Sequence, residues 1–139
     1  MIILDTNVIS ELLRPTPDQG VVAWIEARPR GQFFTTAVSE AEIRYGIARL
    51  EDGRRRQALT IAIEGIFTED FAGRILAFDS GAAVTYAAIV SARDRIGRPI
   101  SQFDAQISAI ALAHGAAIAT RNAKDFECIG VEIINPWPI

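Results

Sequence analysis

The chain has 139 residues, half of them apolar, which fits one domain with one core spanning 1–139. No apolar run is long enough to cross a bilayer, no basic leader precedes the first apolar stretch, and a single cysteine, Cys128, excludes an internal disulfide framework; a soluble cytoplasmic protein is expected. A formal net charge of −3 excludes coating nucleic acid by bulk attraction, yet Lys124 is the only lysine among 14 basic side chains, and the arginine fork suits local bidentate contact with phosphate.

In chain order, Ile2 to Leu4 read as a short buried strand and Thr6 to Leu13 as a helix stopped by Arg14-Pro15-Thr16-Pro17. Gly20 to Ala27 gives a second helix, ended by Pro29, and Gln32 to Thr35 a second strand. A long helix starts at Ser39, with Ile43, Ile47 and Leu50 at helical spacing. A charged turn, Glu51 to Arg56, leads to a helix through Ala58, Ile61, Ala62 and Ile66. Ile75 to Phe78 is the third strand. Ser80 caps an alanine-rich helix that ends at Gly97 and Pro99. Ser101 starts another, whose buried face is marked by Phe103, Ile107, Ile110 and Ala111 until Gly115. "AAIAT" and "VEII" are the fourth and fifth strands. Short buried strands alternating with helices imply right-handed crossovers and a mostly parallel five-stranded sheet, giving a three-layer α/β/α sandwich.

Four acids occupy suggestive places: Asp5 after the first strand, Glu42 in the helix after the second, Asp104 in the last long helix, and Asp125 after the fourth strand. Each has a structural alternative. Asp5, like Asn7, can cap the helix that follows it. Ser39 and Glu42 have the spacing of a capping box, and Ser101 and Asp104 repeat it. Asp125 can be a solvated loop residue. As a set they read differently, because a parallel sheet works outside the carboxyl ends of its strands, and Asp5 and the "TRNAKD" segment leave that edge. Glu42 and Asp104 are expected in the first turns of helices that begin near it, where the partial positive charge tolerates acids. Carboxylates gathered in one cleft repel and take up protons unless a cation sits among them. Hard oxygen donors suit Mg²⁺ or Mn²⁺, and one histidine with one cysteine does not make a structural zinc site. Such an ion suits phosphoryl chemistry.

The segments "ILDTNVISELLRP", "TTAVSEAEIRYGIARL", "FDAQISAIALAHG", "IATRNAKDF" and "INPW" together resemble the landmarks of PIN-domain ribonucleases, and more closely the VapC-type toxins of bacterial toxin–antitoxin pairs, including the FitB-like branch. The match runs in order from residue 2 to the end. What the resemblance implies is a Mg²⁺- or Mn²⁺-dependent endoribonuclease toxin, homodimeric, cutting RNA to 5′-phosphate and 3′-hydroxyl ends, and inhibited by a small DNA-binding antitoxin. The family's acidic positions fall on Asp5, Glu42, Asp104 and the "TRNAKDF" segment. There, some relatives carry an acid where this chain has Asn122, with Asp125 three residues later, so the fourth ligand and any second metal stay open. Thr6 and Asn7 are expected to cap the first helix and brace the site.

Arg121, beside this site, is a candidate for a substrate phosphate contact. His114 fits a helix C-terminus better than a catalytic base, since no serine or cysteine motif accompanies it. The "GRRRQ" run is a solvated turn or a hold on RNA or an acidic partner. Trp24, Tyr45 and Trp137 suit base stacking or packing. Two rivals remain. A phosphatase like the haloacid dehalogenases would use Asp5 as nucleophile but needs an acid where Asn7 stands. A PIN-like scaffold would bind RNA or a partner without cutting.

Overall fold

A computed structural model describes residues 1–138. The strands are β1 (Ile2–Leu4), β2 (Phe33–Thr36), β3 (Ile75–Leu76), β4 (Ala117–Ala119) and β5 (Ile133–Ile134), all paired in parallel in the order β3-β2-β1-β4-β5. The helices are α1 (Thr6–Leu12), α2 (Gln19–Glu26), α3 (Ala37–Ala48), α4 (Arg54–Gly65), α5 (Ser80–Arg95) and α6 (Gln102–His114). No helix among the described residues is long and apolar enough to cross a membrane.

The expected three-layer sandwich follows from strand alternation. On β1, Ile3 points into a cluster with Ile89, Ile107 and Ile110 of α5 and α6. Ile2 and Leu4 point the other way, into a cluster with Val8 and Ile9 of α1, Val21 of α2, Ile43 of α3 and Ile63 of α4. On β4, Ile118 and Ala119 divide in the same way. Ile107 is fully buried, so truncating it to alanine costs about 2–5 kcal/mol. Small residues on α6 (Ala105, Ala109 and Ala111, each 0% exposed) let the helix lie close to its neighbours.

The topology also places a crevice. From β1 the chain moves outward to β2 and β3, then returns past β1 to β4 and β5. The strand order therefore switches between β1 and β4, where open parallel sheets leave a crevice at their carboxyl edge. Asp5 and Thr120, which follow these two strands, stand there, and the Asp5 N–H continues the ladder to the Ala119 carbonyl at 2.9 Å.

Several local expectations are corrected. Helix α3 starts at Ala37, capped by Thr36, whose Oγ1 accepts the Ser39 N–H at 3.1 Å. Strand β2 runs one residue further than its apolar pattern and hands the cap to Thr36. Glu42 therefore lies in the second turn of α3, outside any capping box. Helix α5 is capped by Asp79 instead of Ser80: its Oδ1 accepts the Ala82 N–H at 2.9 Å. Phe78 lies beyond β3 and packs edge-on to Tyr86. Phe103, expected on the buried face of α6, is 53% exposed, and Ile61 on α4 is 74% exposed. The expected stop of α6 holds. Gly115 adopts φ +63°, the left-handed conformation that ends helices and that β-carbons disfavour.

Candidate active site

Asp5 is both a helix cap and a cleft residue. It caps α1, with Oδ1 accepting the Thr6 N–H at 2.8 Å, and it is only 6% exposed at the floor of a cleft of about 530 Å³. Its Oδ2 accepts the Thr120 hydroxyl at 2.8 Å and the Asn7 amide at 3.3 Å. Thr120 is saturated in turn: having given its proton to Asp5, its oxygen accepts Asn7 Nδ2 and the Asn122 N–H, each at 3.1 Å. Asn7 Oδ1 accepts the Arg121 N–H at 3.3 Å. The side chain of Asn7 thus ties the start of α1 to the segment leaving β4.

Across the cleft, Thr6 Oγ1 lies 2.9 Å from Glu42 Oε1 and 3.0 Å from Ser39 Oγ. A hydroxyl has one proton, and a carboxylate only accepts, so Thr6 donates to Glu42 and Ser39 donates to Thr6. Asp104 enters from the first turn of α6, whose cap Ser101 accepts the Asp104 N–H at 3.2 Å. Asp5, Glu42 and Asp104 all line this cleft, together with Thr6, Asn7, Arg121 and Asn122.

Their electrostatics record the crowding. Burial pushes the Asp5 carboxyl up to about 6, opposed by the Thr120 and Thr6 hydrogen bonds and helped by the charges of Asp104 and Glu42. Burial likewise raises Glu42, with Thr6 opposing and Asp104 adding, and raises Asp104, with Ser101 opposing and Asp125 adding. Asp125 itself is exposed on the short turn Ala123–Phe126 and does not line the cleft. Its charge is felt at Asp104 all the same.

That turn is held by Arg93, a guanidinium only 5% exposed. It donates to the carbonyls of Arg98 at 2.6 Å, Glu127 at 2.9 Å and Asp125 at 3.4 Å, and its charge partly offsets that of Asp104. A further acid at the cleft, Glu11, is already matched: Arg14 donates to it at 3.1 Å and the Asp18 N–H at 3.0 Å. His114 lies at the other end of α6, away from the cleft.

Among the described residues, no group of three acids, histidines or cysteines is arranged to hold a metal ion unaided. The donor set fits Mg²⁺ or Mn²⁺ nonetheless. All its donors are hard oxygens, and Asp5, Glu42 and Asp104 are all pushed toward protonation, by burial first and by their neighbouring acids second, which a bound cation would oppose. Mg²⁺ keeps several of its own waters and takes one or two carboxylates directly, so an open set of acids is sufficient.

Thr120, Ser39, Glu11 and Arg14 are site residues that spacing does not single out. For Thr120 the sequence signal is a polar residue closing an otherwise apolar strand. For Ser39 and Arg14 a cap and a helix stop are equally good local readings.

A parallel α/β sandwich with an acid-lined cleft at its switch point is the PIN architecture. The family profile of the PIN domain matches residues 2–130, and the chain belongs to that family. It is similar to the VapC ribonuclease Y4jK of Sinorhizobium fredii, 42% identical over 137 residues that cover 99% of this chain and 98% of the relative. It is also similar to the toxin FitB of Neisseria gonorrhoeae, 41% identical over 137 residues and 99% of each chain. A solved structure of FitAB bound to an IR36 DNA fragment matches it with a TM-score of 0.94 at 40% identity, covering 100% of this chain and 97% of that one.

Proposed function

We propose that the protein is the toxin of a toxin–antitoxin pair and acts as a Mg²⁺-dependent endoribonuclease, with Mn²⁺ able to substitute. The observation that carries this reading is the convergence of Asp5, Glu42 and Asp104, from three separate elements, on one cleft where burial and mutual repulsion disfavour their charged forms. The similarity to a VapC ribonuclease and to FitB supports it.

Asp5, Asp104 and Glu42 would hold the cation, with Asn122 and the more distant Asp125 contributing through water. When bound, the ion supplies Lewis acidity, activating water and offsetting phosphate charge. The protein supplies the order. Thr120, Asn7 and the Thr6 N–H fix both oxygens of Asp5, and Thr6 fixes one oxygen of Glu42. No side-chain nucleophile is required, which separates this reading from a phospho-aspartate phosphatase: Asn7, an amide, occupies the position where that chemistry needs a second acid.

The partner in this reading is a small DNA-binding antitoxin that assembles with a dimer of the toxin; the similarity to FitAB bound to an IR36 DNA fragment supports it. An apolar groove of about 560 Å³ between α1, α3 and α4 shares Thr6, Ser10, Arg14 and Glu42 with the cleft, so a segment seated there would block the acids. The decisive experiment is cleavage of total RNA with Mg²⁺ and with EDTA, followed by mapping of the ends. Mg²⁺-dependent cuts with 5′-phosphates, lost in Asp104→Asn, are expected. Growth inhibition that survives Asp104→Asn would instead make the protein a binding scaffold.

A further inference from the structure

Arg121 is exposed at the rim of a cleft lined by acids, yet its guanidinium forms no ion pair with any described residue. It lies instead over the ring of Trp137, 4.9 Å from the centroid. Trp137 also lines the cleft and is half-buried against the core cluster of the α1–α4 side.

Both partners are fixed by their backbones. The Arg121 N–H is held by Asn7 Oδ1, and the Trp137 N–H by Asn135 Oδ1 at 3.0 Å. The residue after Trp137 is seated against Gly20: a β-carbon there would stand 2.7 Å from Pro138 Cδ and 2.9 Å from Cγ. Only glycine admits that approach, so the amino end of α2 acts as the seat of the segment that carries the tryptophan.

Trp137 thus lies beneath the guanidinium of Arg121, whose outer side is open to solvent. An arginine already held over an aromatic ring loses little conformational freedom when a flat group covers it from outside. Unpaired bases stack on guanidinium planes as they do on aromatic rings, whereas the phosphate contact expected for Arg121 needs no aromatic ring behind it.

Resting on the ribonuclease reading above, we propose that Arg121, backed by Trp137, is a specificity residue that stacks on an unpaired nucleobase next to the phosphodiester placed at the acids, with Gly20 a positioning residue for the pair. Stacking is stronger for larger bases, so the site prefers a purine.

The test is binding of fluorescein-labelled oligoadenylate, oligouridylate and an abasic ribose-phosphate chain of the same length, read by anisotropy in Asp104→Asn protein to suppress cutting, with cleavage of the first two by wild type alongside. Oligoadenylate is expected to bind about tenfold more tightly than the abasic chain, with oligouridylate between. Arg121→Lys keeps the charge and loses the plane; it is expected to remove this preference while the abasic chain binds as before. Gly20→Ala, outside the cleft, is expected to blunt the preference and alter tryptophan fluorescence. Equal binding of all three chains by a protein that cuts RNA overturns the stacking site and leaves the nuclease reading standing, as does full preference in Arg121→Lys. Arg121→Lys that binds and cuts normally but is no longer inhibited by its antitoxin would assign the stack to the partner protein. A wild type that cuts no RNA removes both readings.

Discussion

At Thr6 one hydroxyl proton lies between two oxygens, and its direction decides the state of the neighbouring acid. Donation to Glu42 opposes the burial that raises that carboxyl, and Ser39 makes the donation possible by supplying a proton to Thr6 from behind. Thr6→Val keeps the shape of the side chain and removes the hydroxyl, so Glu42 is driven further toward its neutral form. Mg²⁺ affinity is expected to fall about tenfold, the usual cost of losing a brace behind a ligand, and the acid limb of the cleavage profile to move to higher pH. Thr6→Ser should restore both. A Mg²⁺ titration at several pH values reads the result, and an unchanged profile would make Thr6 only part of the wall.

At the scale of elements, the helix starts show where local pattern stops being sufficient. Asp79 and Ser80 are adjacent and chemically equal as caps, and the chain uses Asp79 because the backbone leaving β3 is still extended there (φ −96°, ψ −173°). Asp79→Ala is expected to cost about 1 kcal/mol in urea unfolding, and Ser80→Ala, inside the first turn, a few tenths at most. The reverse ranking would restore the sequence reading. The same ambiguity hid Glu42. Ser39 and Glu42 carry a valid box spacing, but Thr36 takes the cap, and Glu42 is released from α3's own backbone to face Thr6 on α1.

For the whole molecule, the crowded cleft makes stability depend on pH and on metal. Asp5 ionises at about 3.8 in an unfolded chain and at about 6 in the fold, so between those values the folded protein holds a proton that the unfolded chain has lost. The stability this group contributes is complete below the unfolded value and is lost as pH rises through the folded one. The loss is about 3 kcal/mol at neutral pH. Glu42 and Asp104 are raised as well and act in the same direction. In EDTA the urea midpoint is expected to be lower at about pH 7 than at about pH 5, and Mg²⁺ should recover more stability at the higher pH. A midpoint indifferent to Mg²⁺ at neutral pH would mean that the acids do not share an ion.

What the sequence alone determined is the run of strands and helices and where most of them stop, which depends on a few neighbouring residues. Apolar runs such as Ile2–Leu4, helical spacing such as Ile43 and Ile47, and the breakers at Pro15 and Gly115 mark the layers, and Asp5 is delivered to the sheet edge simply by ending its strand. Its ordered motifs also carried the family. The tertiary structure alone decided what meets at that edge. Thr120 beneath Asp5, Thr6 against Glu42, Arg93 under the turn of Asp125, and Trp137 under Arg121 are pairings between distant segments. They exist because β1 lies between β2 and β4, with β5 beyond β4, and that strand order is chosen by burial summed over the whole core, which no local window of sequence contains.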